Sequence, residues 1–212
     1  MRKLLLAAAL VLAVPTVSQA QFGLGVRLGY GVPGGDVVKG GKYTDGIKSS
    51  TPIQLDAMFR TGANTAAGLY LGYAVNTLNS DIKASCSALG VSCSSSTFRV
   101  GLQFTGEFLD LGLIGLWGGI GTGYESLTIK EELGGAKAEM NLRGWEWATI
   151  SAGADLKPLK LINAGLFVSY GFGQFRVQSF KVTGYPDETH GIGSDKATHN
   201  LFQIGLRGML NL

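Results

Sequence analysis

From residue 21 onward, apolar and non-apolar side chains alternate one by one. In 21–32 (QFGLGVRLGYGV), Phe22, Leu24, Val26, Leu28, Tyr30 and Val32 form one row; Gly23, Gly25, Arg27, Gly29 and Gly31 form the other. Successive side chains of a strand point to opposite faces, so this segment predicts a strand with one hydrocarbon face and one nearly bare face. The alternation recurs. Ile53, Leu55, Ala57 and Phe59 oppose Gln54, Asp56, Met58 and Arg60, and Leu69, Leu71, Tyr73 and Val75 oppose Gly68, Tyr70, Gly72 and Ala74. Phe98, Val100, Leu102 and Phe104 oppose Thr97, Arg99, Gly101 and Gln103. Similar rows cover 114–124, 147–154, 162–173 and 202–212, which makes eight segments. Each supplies the roughly 9–11 residues that a tilted strand needs to cross a bilayer. The phase is weakest at 111–116 and 143–147, where a bulge would shift it.

The connections alternate as well. Long ones fall near 33–50, 79–96, 127–140 and 179–197, and short ones near 61–65, 106–110 and 155–158. An even-numbered antiparallel meander sorts its connections this way, with short turns at one end and long loops at the other. The segments therefore predict an all-β fold, an eight-stranded antiparallel up-and-down β-barrel.

Which face points inward separates two chemistries. A soluble, lipocalin-like barrel would bury the apolar row and show water a wall made mostly of glycine, loose and poorly soluble. In a transmembrane barrel the apolar row meets lipid, and Gly, Arg, Asp, Gln and Ser fill a narrow lumen. Closure gives every backbone group a partner in hydrocarbon, where open edges are not tolerated. On the lipid phase, Phe22, Phe59 and Phe104 gather near the short-turn end. Tyr30, Phe98, Tyr124, Tyr170, Phe172 and Phe202 gather near the long-loop end, as interfacial belts require. The transmembrane barrel is the expected fold.

Composition narrows the function classes. The chain has 212 residues, 33 of them Gly, and only 16% charged side chains, with a net charge of +3. Mean hydropathy is +0.21, yet no apolar run beyond the N-terminus is long enough for a membrane helix. The small basic excess gives no footing for nucleic acid. Arg2 and Lys3, an apolar run over 4–14, Pro15 and the small-residue ending Ser18-Gln19-Ala20 predict a signal peptide, 1–20, cleaved after Ala20. The run is too short for an anchor helix, and Gln21 in place of Cys argues against a lipoprotein. The remainder, 21–212, is expected to be one barrel domain.

The leader, the opening FGLGVRLGYGVPGGD (22–36) and the closing LFQIGLRGMLNL (201–212) resemble the small eight-stranded outer-membrane barrel proteins of Gram-negative bacteria, the OmpA/OmpX type. That resemblance implies residence in the outer membrane and surroundings of lipid and lipopolysaccharide. It also implies handling by the barrel-assembly machinery, a monomeric state and no cofactor. Family members usually end in Phe, whereas this chain ends in Leu212, still apolar and on the lipid phase. With the eighth segment closing the chain, no soluble C-terminal domain of the OmpA kind is expected.

Candidate chemistry lies mainly in the lumen row. Arg27 and Asp56 fall at similar heights on neighbouring strands, and Arg207 reaches that height on the last strand. Arg60 and Arg99 extend the group. A dry interior demands pairing of such charges, so they form either a plug of ion pairs or a constriction selecting small anions. Trp117, Trp145 and Trp147 are expected to face inward and fill volume beside the glycines. Cys86 and Cys93, in the second long loop, are expected to form a disulfide in an exported, oxidising compartment. Their spacing does not suit a metal site, and no metal is expected. His190 and His199 flank the last loop with Asp187, Glu188, Ser194 and Asp195 nearby. The His-x-Ser arrangement of lipid-deacylating barrels is missing, so a solvated loop without catalytic residues is expected. The functional expectation is a structural or surface-interaction role through four extracellular loops. A narrow conduit for small hydrophobic or ionic solutes, as in OmpW-type barrels, is the alternative, and a lipid-modifying enzyme a more remote one.

Overall fold

The computed structural model describes residues 22–159 and 161–212; the expected leader and its cleavage point lie outside them. Ten strands follow in order: β1 (Phe22–Val38), β2 (Gly41–Lys42), β3 (Ile47–Arg60), β4 (Thr65–Leu78), β5 (Ser92–Asp110), β6 (Ile114–Leu133), β7 (Ala136–Leu159), β8 (Ile162–Val182), β9 (Glu188–Gly191) and β10 (Thr198–Asn211). β2 and β9 are short strands in the long connections. The other eight form an antiparallel meander whose last strand, β10, pairs with both β8 and β1, closing the ring.

The register shows how steeply the strands lean. Stepping across paired residues from Gly25 leads through Asp56, Tyr70, Gly101, Gly123, Glu146, Gly173 and His199. The path returns to β1 at Gly35, ten residues beyond its start. This stagger tilts the strands and sets an interior wide enough for side chains only. Exposure settles the facing. Leu28, Leu102 and Leu206 are 51%, 59% and 61% exposed, while Arg27 and Asp56 are 5% and 2% exposed. The apolar row is the outer wall, a surface that only lipid can cover at low cost.

The structure corrects three expectations. The region 127–140 is not a long loop: β6 and β7 continue as a hairpin that turns at Gly134 and Gly135, both with positive φ. Two consecutive residues at positive φ are what a tight hairpin turn needs, and glycine adopts them without strain. Near the tip Lys137 and Glu132 lie 2.9 Å apart, a hydrogen bond that raises the pKa of Lys137 and lowers that of Glu132. Two short turns sit further along than expected, because β5 runs to Asp110 and β7 to Leu159. Finally, Trp145 and Trp147 face outward. The register shift at Glu146/Ala148, where Trp147 is the extra residue, breaks the alternation of β7, leaving both indoles exposed and Glu146 buried. Only Trp117 faces the lumen.

At the long-loop end a second, apolar core closes the barrel. Tyr43, on a helical turn (Tyr43–Gly46), packs with Ile47, Leu127, Leu142 and Phe175, and Val37, Met140 and Ile192 pack against them. The second long connection carries an exposed helix (Ser80–Ala88) tied to the start of β5 by the Cys86–Cys93 disulfide. No residue of this helix is buried, so the cross-link holds it more than packing does. Replacing Cys86 by Ser is expected to loosen the segment by about 2.5 kcal/mol, the chain-entropy value for a loop of this size. Faster amide exchange across the helix, with exchange in the barrel strands unchanged, is the expected reading.

Candidate functional site

The inward row stacks its polar groups in two tiers. In the lower one, Arg27 Nε meets Asp56 Oδ2 at 2.7 Å, and Arg27 Nη2 donates to Gln103 Oε1 at 2.9 Å. Gln54 and Gln103 both donate to the other Asp56 oxygen, each at 2.8 Å. The carboxylate thus accepts from three side chains. Closure of the sheet sets Arg207 directly opposite Arg27, which would cost heavily if both cations lacked partners. Arg207 takes its own carboxylate, Asp155, at 3.3 Å, and Trp117 donates to the second Asp155 oxygen at 3.1 Å. The Trp117 ring lies 5.3 Å from the Arg27 guanidinium and 4.1 Å from that of Arg207, within reach of both as a π-partner. Its edge crosses Gly153, where a Cβ would stand 2.6 Å from the ring.

The upper tier shares three residues of one hydrogen-bonding row, Tyr70, Glu146 and His199. Arg99 Nε lies 3.1 Å from Glu125 Oε2, and Arg99 Nη1 lies 3.8 Å from Glu146. Tyr70 donates its hydroxyl to Glu146 at 3.2 Å. The phenol reaches that far because Gly101 and Gly123 leave it a channel; a Cβ on Gly101 would stand 2.6 Å from Cζ of Tyr70. His199 Nε2 lies 3.0 Å from the second Glu125 oxygen, and its ring stacks on Phe175 with centroids 4.2 Å apart. The upper charges therefore abut the apolar cap.

At the short-turn end the lumen opens into a polar vestibule of about 330 Å³ lined by Arg60, Glu107, Asp110, Lys157 and Arg207 among others. Lys157 Nζ bridges Glu107 at 2.7 Å and Asp110 at 3.1 Å. Between the tiers a cavity of only about 20 Å³ remains, room for a single water.

The five lumen residues singled out from sequence do not form one cluster. Arg27, Asp56 and Arg207 meet in the lower tier, Arg99 belongs to the upper one, and Arg60 stands exposed at the short-turn rim. Glu125, Glu146 and Asp155, the acids that balance the arginines, were not among them. Glu125 continues the inward phase Gly119, Gly121, Gly123, so extending the period by one step would have found it. Asp155 falls where the sequence predicts a short turn but lies in β7, and the β7 bulge hides Glu146. His199 corrects a further expectation. It is no loop residue but lies in β10, 4% exposed and bound to Glu125. His190 is the exposed one, 3.5 Å from Glu188.

No family model matches the chain, and no curated relative does. Among solved structures it is similar to a major outer membrane protein of Thermus thermophilus, at 10% identity, with 92% of this chain and 100% of that one covered and a TM-score of 0.62. It is also similar to Neisserial surface protein A (10% identity, 89% and 98% covered, TM-score 0.50). OprG of Pseudomonas aeruginosa is alike at 11% identity, with 90% and 96% covered and a TM-score of 0.50. The fold is that of a small outer-membrane β-barrel. The closed ring and the apolar outer wall agree with it. At identities this low the likeness concerns the fold, so the role of the outer-membrane barrel's interior rests on its own geometry.

Proposed function

We propose that the protein is a closed structural barrel of the outer membrane, exported by its leader 1–20, that serves as a rigid scaffold for an extracellular surface. The observation that carries this reading is the filled lumen. Two tiers of buried ion pairs, a cavity for one water between them and an apolar cap at the loop end support a lumen closed to ions and solutes. A buried pair of this kind resists opening, because separating the partners would strand charge in a low-dielectric interior. The surface reading draws support from the loop end, where strands extended beyond the apolar belt, a disulfide-tied helix and the packed cap hold the connections in shape.

Recordings in planar lipid bilayers test it. The reconstituted barrel is expected to show no reproducible open level. A steady conducting level abolished by Arg27→Gln would overturn the closed reading in favour of a narrow conduit.

A further inference from the structure

The outer wall changes character within one turn of the β7 strand. Trp145 and Tyr124, paired across β6 and β7, stand edge to face on the lipid side with ring centroids 6.0 Å apart. Amphipathic rings of this kind sit at headgroup depth. One step further toward the loops, on the same face, comes Arg143. The register shift at Arg143/Gly144 pairs Arg143 with Val177 and Gly144 with Phe175. Arg176 is therefore the extra residue of a bulge, and β8 sets it and Val177 against Arg143. Both arginines are exposed.

The surroundings prepare Arg143 and leave the pair without a counter-charge. Asn141 accepts from Arg143 Nε at 2.6 Å, and its own amide spans to Thr128 at 2.7 Å and Ser126 at 3.2 Å. The guanidinium is thus held at Nε, and its terminal nitrogens keep their donors for a ligand. Ser179, paired with Asn141 across the strands, is 4% exposed and its hydroxyl has no partner. The neighbouring cations are already matched: Lys181 with Asp187 at 2.8 Å and Lys130 with Glu139 at 3.5 Å. Among the described residues no carboxylate pairs with Arg143 or Arg176. Two adjacent cations at the water edge of an aromatic girdle call for an anion, and the anion found at that depth in a bilayer is a headgroup phosphate. Guanidinium groups suit it, since they offer parallel donors to phosphate oxygens.

We propose that Arg143 and Arg176 form a site on the outer wall that holds the phosphate of an anionic lipid headgroup in the outer leaflet. The proposal rests on the outer-membrane reading, with the long connections facing outward. It is tested by native mass spectrometry of the barrel from nanodiscs of phosphatidylcholine, alone or with bisphosphorylated lipid A, or with the same lipid A after dephosphorylation. Wild type and Arg143→Gln, Arg176→Gln and the double variant are compared, and each is first checked for the gel shift between unheated and boiled samples. Wild type is expected to retain the phosphorylated lipid, and the double variant to hold it at least about tenfold more weakly. Dephosphorylated lipid is expected to bind both alike and poorly. Equal retention by wild type and double variant, or retention indifferent to the phosphates, would overturn the site. Inorganic phosphate stabilising the detergent-solubilised barrel as much as lipid A does would overturn the lipid assignment in favour of a free anion. A wild type without the gel shift would instead sink the membrane reading beneath it, whereas a normal shift without lipid retention sinks this inference alone.

Discussion

Asp56→Ala is expected to lower the unfolding free energy of the barrel in lipid vesicles by about 3–5 kcal/mol, the cost of stranding one partner of a buried ion pair. Asp56 is 2% exposed and is the sole carboxylate paired with Arg27 in the lower tier. Without it Arg27 keeps one hydrogen bond, to Gln103, and the face of Trp117 at 5.3 Å. Gln54 and Gln103 lose the oxygen to which both donate. Arg207, directly opposite, adds a like charge that Asp155 alone must balance. The double replacement Arg27→Met with Asp56→Leu removes both charges and leaves apolar volume in their place. Most of the loss is expected to be regained, since a buried pair and an apolar substitute of similar size often come out near parity. Equilibrium unfolding in urea, followed by tryptophan fluorescence, reads both. A double variant weaker than Asp56→Ala would mean that the pair itself stabilises the barrel, beyond satisfying its members.

The alternation that announced the barrel is reliable only where the two faces of a strand meet different media. Between the aromatic belts one face meets lipid and the other a polar interior, so Phe98, Val100, Leu102 and Phe104 face out as their spacing predicts. Past the membrane the rule lapses. Around Lys130, Glu131, Glu132, Lys137 and Glu139 water reaches the sheet widely, polar residues suit either face, and a strand hairpin reads as a loop. Bulges are the second blind spot. Each inserts one residue without changing composition, so the period of two places Trp145 and Trp147 on the inner face and passes over Glu146. The third is distance in the chain. Nothing local to His199 reveals that Phe175 and Glu125 flank it, because those contacts depend on the stagger accumulated around the whole ring. Charge balance offers a partial remedy: four arginine candidates against one acid call for further inward carboxylates, and Glu125, Glu146 and Asp155 are those acids.

The apolar cap supports the second large effect. Phe175 is fully buried, stacks on His199 and lies 6.3 Å from the Tyr43 ring. Phe175→Ala is expected to cost about 3–5 kcal/mol, the usual range for emptying a packed aromatic position, read by the same unfolding titration. Its local consequence distinguishes it from Asp56→Ala. With the ring gone, His199 and Glu125 lose their cover, and the helical turn bearing Tyr43 loses its main packing surface. Amide exchange and protease cleavage should therefore rise across 37–47 while β3 and β4 below stay protected. On the proposed closed reading conductance should nevertheless remain absent, because the lower tier of Arg27, Asp56, Asp155, Arg207 and Trp117 would still block the lumen. Only a variant that opens both, such as Phe175→Ala combined with Arg27→Ala and Asp56→Ala, is expected to pass ions. Leakage from Phe175→Ala alone would show that the cap is the sole barrier and that the ion pairs beneath it let water through.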